Sequence, residues 1–195
     1  MISTIAIFPL PNVILFPGAF LPLHIFEPRY RMMLDYTNEN ENELAITSIN
    51  SKSEIETIFG WGKIVKQESL EDGRSNILLE GMGVATVVDF YSTEPFIIAK
   101  IEKFPNSYTY LMTEEFKSLL KEILYSTRVY LRKMNVEDIF IEEMEKIKKH
   151  PFPVDFITSI INCEYSKKQD ILCTFDPFLK ANKLLNILNT LNNSE

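Results

Sequence analysis

The side chains able to do covalent or metal chemistry are few: His24 and His150 are the two histidines, and Cys163 and Cys173 the two cysteines. Nucleophilic catalysis needs a nucleophile beside a positioned base, and a zinc ion needs three or four converging donors. His24 lies in the apolar run LPLHIF, the setting of a half-buried structural histidine in a strand. His150 follows Lys148-Lys149 and precedes Pro151, as at a solvated helix end. The cysteines have no CxxC spacing and no neighbouring histidine, so they read as buried helix residues, neither a zinc site nor a disulfide. Glu142, Glu143 and Glu145 are answered by Lys146, Lys148 and Lys149, the pattern of a solvated charged face. Gly60-Trp61-Gly62-Lys63 comes nearest to a phosphate cradle, but it lacks the GxxxxGK[ST] spacing and its alternation belongs to a strand. The residues therefore predict no catalytic centre, no metal and no cofactor.

Recognition chemistry is better represented. Phe16-Pro17-Gly18-Ala19-Phe20 sets an aromatic on each side of a Pro-Gly turn. Glu27-Pro28-Arg29-Tyr30-Arg31 gathers a carboxylate, two arginines and a tyrosine at a helix start. Arg and Tyr are enriched in binding hot spots because they join large contact area to directional donors. Glu27, Arg29, Arg31, Phe16 and Phe20 are accordingly the candidate polypeptide-binding residues. The competing reading sends Phe16, Phe20 and Tyr30 into the core, the usual place for aromatics, and pairs the arginines with Glu27 or Asp35. Arg29 and Arg31 lie two apart, so on a helix they point in different directions.

The elements that must hold these residues change character along the chain. Pro9, Pro11, Pro17, Pro22 and Pro28 exclude a long helix from the opening stretch and punctuate short strands. Val13–Phe16 reads as a buried run, Leu21, Leu23 and Ile25 as an alternating strand, and Pro28 as the first residue of a helix carrying Tyr30, Met33 and Leu34. Further strands are expected at 44–49, 57–65, 77–79, 84–90 and 96–101, with Asp72-Gly73 in a hairpin turn. Beyond Pro105 the period becomes helical. Phe116, Leu119, Leu120, Ile123, Leu124, Thr127, Leu131 and Met134 form one stripe, capped by Thr113. Pro151 and Pro153 open a second helix over 154–161, Ser166 to Gln169 a capping box for a third, and Asp176-Pro177 a fourth running to about Leu191. The predicted class is α+β: a β subdomain with an early helix over 1–105 and a helical subdomain over 106–195. Trp61 is expected in the core.

At 195 residues the chain suits one sizeable domain or two small ones, and its net charge of −7 disfavours nucleic acid and anionic membranes as partners. Residues 1–105 carry 8 Lys+Arg against 14 Asp+Glu, net −6; residues 106–195 carry 12 against 13, net −1. No apolar run is long enough to span a bilayer, and Pro9 and Pro11 interrupt the single candidate for a signal segment, so a cytoplasmic protein is expected.

The stretch FPLPNVILFPGAFLPLHIFEPRYRMML (residues 8–34) resembles the opening of the Lon substrate-binding domain, and its part from Phe16 onward resembles most of all the stand-alone branch. The likeness continues through Phe59–Ile64, Asp72-Gly73-Arg74, Ile77–Gly81, Pro95–Ile101, Phe156–Ile161, Lys168-Gln169 and Asp176-Pro177. The family carries an arginine three residues after the strand-ending glycine, where this chain has Val84. No contact of that arginine can be carried over. The resemblance implies a PUA-like β-barrel followed by a helical bundle. It also implies a non-catalytic module that binds unfolded polypeptide or a specific protein partner, as an adaptor in proteolysis or quality control. Within these 195 residues neither the ATPase nor the Ser-Lys peptidase of the full proteases is expected. The alternatives are a nucleic-acid-binding PUA-like protein, opposed by the acidic β half, and a hydrolase of unrecognised type.

Overall fold

Proline and glycine set the course of the first hundred residues. The computed structural model describes residues 1–49 and 54–193, and the chain divides into two compact units, Met1–Asn106 and Ser107–Glu195. The first contains β1 (Ile2–Pro9), β2 (Phe20–Ile25), α1 (Pro28–Glu39), β3 (Glu43–Thr47), β4 (Ile58–Ser69), β5 (Ser75–Ser92) and β6 (Ile97–Lys103). The strand order is β2-β5-β4-β3-β1-β6, with a further β5–β6 pairing. β5 can serve three neighbours because it is 18 residues long. Its first part pairs with β2 and β4, and its last part, from Ala85 to Ser92, pairs with β6. Register shifts in β4–β5 and β5–β6 bend the sheet toward a barrel.

The separate strands expected at 77–79 and 84–90 are one. Gly81 and Gly83 do not break β5, because neither takes the positive φ of a turn; positive-φ glycines are Gly18 and Gly73. What Gly81 supplies is missing bulk. Val13–Phe16, expected as a buried run among short strands, is irregular chain, and its backbone lies directly on the sheet. A Cβ at Gly60 would run into the Leu15 carbonyl, and one at Gly81 into the Phe16 carbonyl. At Gly62 it would meet the Glu80 carbonyl and, at 3.0 Å, the Leu15 side chain. The Leu15 and Phe16 side chains are thereby sealed, each 1% exposed. Leu15 joins Phe8, Met33, Leu44, Ile46 and Leu79 in the core on this side. The Ala19 amide donates to the Phe16 carbonyl (3.1 Å), and with Pro17 in the second position and Gly18 at φ 73 this is a type II turn.

Two other expectations are corrected in this unit. His24 is exposed, not half-buried, since it falls on the outward phase of β2; its Nδ1 lies 2.7 Å from Asn76 Oδ1 on the paired strand. Trp61 is half-buried: the Lys103 ammonium sits 3.8 Å from its ring, held there by Glu43 at 2.5 Å.

The second unit contains α2 (Glu114–Lys133), α3 (Asp138–Glu143), α4 (Pro153–Ile160), α5 (Tyr165–Leu172) and α6 (Pro177–Asn193), with 3-10 turns at Thr109–Met112 and Met144–Lys149. The Thr113 hydroxyl accepts from the Phe116 amide (3.2 Å), capping α2 where a threonine followed by two glutamates should. The stripe of α2, apart from a half-buried Leu119, is buried from Phe116 to Leu131 against Ala181, Leu184 and Leu188 of α6. Met134 leaves it, 52% exposed, because the helix ends and Asn135 turns to φ 57. Asp176 caps α6 through the Leu179 amide (2.7 Å). Ser166 does not cap α5. The helix has already begun at Tyr165, and the Gln169 side chain engages the Tyr165 hydroxyl instead (3.3 Å). Cys163 lies in the α4–α5 connection and Cys173 just past α5; both are half-buried free thiols, not helix-core residues.

Candidate functional site

The end of β1, the end of β2 and the start of α1 enclose a groove of about 400 Å³ in the first unit. The FPLP segment (Phe8–Pro11) forms one wall, where β1 ends at Pro9 and the chain turns at Pro11 and Asn12. Leu23, His24 and Phe26 form the other, and Glu27, Arg29 and Tyr30 close the end. Helix α1 begins here because Pro28 needs no donor at the first helical position and Glu27 offers its carbonyl to the amides of Tyr30 and Arg31, both at 3.0 Å.

The charges at the rim are held locally. Arg29 Nε donates to Glu27 Oε2 at 2.9 Å, with both side chains well exposed, and its guanidinium carbon sits 4.5 Å from the Tyr30 ring centroid. The Tyr30 ring packs on Phe8 at 4.3 Å. Burial pushes the Tyr30 hydroxyl above its usual pKa, against the opposing pull of Arg29, so the phenol stays neutral and able to donate. Phe26, 56% exposed, leaves an apolar surface at the mouth. The groove thus offers apolar walls, an aromatic floor and one ion pair whose members still face water. Such a surface suits an apolar segment that carries a polar group to meet the ion pair.

The five candidates part company in the structure. Glu27 and Arg29 line the groove. Arg31 points away, its Nε donating to the Phe26 carbonyl (3.0 Å) and its Nη1 to the Asp72 carbonyl (3.2 Å). It ties α1 to the β4–β5 hairpin. Phe16 is core and has no surface to offer, whereas Phe20 is 56% exposed on β2 but outside the groove. The pleat explains the exposure: Phe20, Pro22 and His24 share the outward phase, while Leu21, Leu23 and Ile25 face in. Sequence reasoning missed Leu10, Leu23 and Phe26 as wall residues. The FPLP repeat was the available signal for the first.

Among the described residues no cluster of three His, Cys, Asp or Glu side chains could hold a metal ion, and no helix is long and apolar enough to cross a membrane. At the β4–β5 hairpin, hydrogen bonds from the Arg74 side chain and amide hold the exposed Asp72 carboxyl at a pKa of about 2.

Known proteins with this architecture agree with one another. The chain is 29% identical over 196 residues to a Lon protease of Cytophaga hutchinsonii, an alignment covering 95% of this chain and 24% of that protein. It is 25% identical to a Lon protease of Parabacteroides distasonis, covering 96% of this chain and 24% of the other. The chain therefore spans about a quarter of the length of these relatives. In three dimensions it superposes on the N-terminal domain of the Mycobacterium avium complex Lon protease with a TM-score of 0.74 at 16% identity, covering 99% of this chain and all of that one. A Lon N-terminal domain protein from Xanthomonas campestris matches at 0.69 and 16% identity, covering 94% and 98%. The sequence profile of the ATP-dependent protease La (LON) substrate-binding domain matches residues 4–190, and the chain belongs to that family.

Proposed function

We propose that this protein is a non-catalytic module that binds unfolded or extended polypeptide, and that the groove beside α1 is where it does so. The observation that carries the reading is the groove itself: the residues of the family's opening motif build an apolar trough with a Glu27–Arg29 pair at its rim. An extended segment could lay apolar side chains against Leu23, Phe26 and Tyr30 and meet the ion pair with its polar backbone. Strand addition along β2 is the weaker mode, because Pro22 deprives that edge strand of a donor. The module would act as an adaptor, in the cytoplasm, delivering bound chains to a separate protease.

Anisotropy titration with labelled β-casein tests the site. Phe26→Ala and Arg29→Ala should each weaken binding several-fold, while thermal melts move by about 0.5 kcal/mol or less, as at exposed positions. Unchanged casein affinity in both variants overturns the assignment. The purified chain should hydrolyse neither ATP nor casein; turnover that co-purifies with it through every step overturns the non-catalytic reading.

A further inference from the structure

The helical unit has a groove of its own, of about 460 Å³, with a different chemistry. Leu111 and Met112, from the first 3-10 turn, and Leu120 of α2 give it an apolar lining, and Met112 is 76% exposed. Four lysines surround that lining and no carboxylate joins it. Two are already answered: Lys117 by Glu114 at 2.6 Å, and Lys148 by Glu145. Lys121 on α2 and Lys149 on the second 3-10 turn have no hydrogen-bonded or ion-paired partner among the described residues. In a chain of net charge −7, this is a local positive rim around exposed apolar surface.

We propose that this groove docks an acidic amphipathic polypeptide segment, one whose apolar side chains cover Met112 and Leu120 and whose flanking carboxylates meet Lys121 and Lys149. Lys121 is attracted to Glu114 without a direct contact, and two ammonium groups on separate elements, neither in a direct ion pair, call for two carboxylates. A single-headed anionic amphiphile would answer one and leave the other. The acidic remainder of the protein repels such a segment, so its binding depends on this rim and weakens as salt screens it. The inference does not depend on the polypeptide-binding reading of the other unit.

The test is an anisotropy titration of the whole chain with two labelled peptides, one carrying leucines flanked by glutamates and the other with lysine in place of every glutamate. The glutamate peptide should bind, lose affinity as salt is raised, and lose about tenfold in the Lys121→Glu/Lys149→Glu double variant. Met112→Ala should weaken it as well. Phe26→Ala, in the other groove, should leave it unchanged, which separates this site from the casein site. Should the double variant fail to show the parent's circular dichroism and melt, Lys121→Gln/Lys149→Gln reads the same contacts with a smaller loss. Equal binding of the lysine peptide, undiminished binding by the folded lysine variants, or full displacement of the glutamate peptide by decanoate, which would mark a small-amphiphile site, each overturns the proposal.

Discussion

The two units of this protein fail in opposite ways. Around Gly60, Gly62 and Gly81 the first unit is packed backbone against backbone, with the Leu15–Phe16 chain seated where side chains would stand, so it cannot accept an added atom. The helical unit is packed side chain against side chain, with Phe116, Leu120 and Leu124 of α2 and Leu184 and Leu188 of α6 all buried where these two helices pack, so it cannot lose one. The difference reflects how each core is closed. A sheet can be covered by an irregular segment only if glycines let the two backbones approach, whereas helices hold their backbones apart and fill the space with large residues.

Removal in the helical unit should show the largest effect. Phe116 is 1% exposed and packs edge-on against Tyr110 and Phe178, so Phe116→Ala should destabilise the second unit by about 3–5 kcal/mol in chemical denaturation. Addition in the sheet comes next. Gly60→Ala should cost about 3 kcal/mol, because the new methyl meets a main-chain carbonyl that no rotamer change can move. The same Gly→Ala change at Gly83, where the added atom would meet only the side chains of Trp61 and Asn106, should cost clearly less. Equal losses at 60 and 83 would break the backbone-contact account.

Arg31 and Arg29 sharpen the comparison within the first unit. Arg31→Ala removes two hydrogen bonds to main-chain carbonyls and should cost about 1 kcal/mol with little effect on casein affinity, the reverse of Arg29→Ala. The smallest effect is one of pH. Asp72 has its carboxyl held at about 2 by Arg74, below the ordinary 3.8, so its contribution is complete above the higher value and is lost as pH falls through the lower. Amide shifts of Gly73 and Arg74 followed by NMR should titrate with a midpoint near 2 and stay flat above 3.8; movement centred near 3.8 would show that Arg74 does not hold the carboxylate.

Much of the architecture could be read from periodicity. Thr113 with its two glutamates, the α2 stripe, Asp176-Pro177 and the Gly73 hairpin are each fixed by neighbours within a few positions, and local chemistry is what a linear pattern records. The Glu27–Arg29 pair was legible for the same reason, being separated by one residue. The groove was not. Its walls come from Leu10, Leu23 and Phe26, and only pairing of the strands decides that these residues converge.

What the sequence determined by itself, then, is the class of each segment, the chemistry present at Glu27, Arg29 and Tyr30, and the lack of any motif for phosphate or metal. The tertiary structure alone decided that Gly81 lies within one long strand, that Phe16 is interior while Phe20 is not, and that Arg31 turns from the groove to hold the Asp72 hairpin. The physical reason is range. Turns, caps and amphipathic stripes are settled by atoms a few residues apart, whereas burial and hydrogen bonding at these three places depend on segments up to about sixty positions away, brought together when the sheet curves and the chain at Leu15 settles onto its glycines.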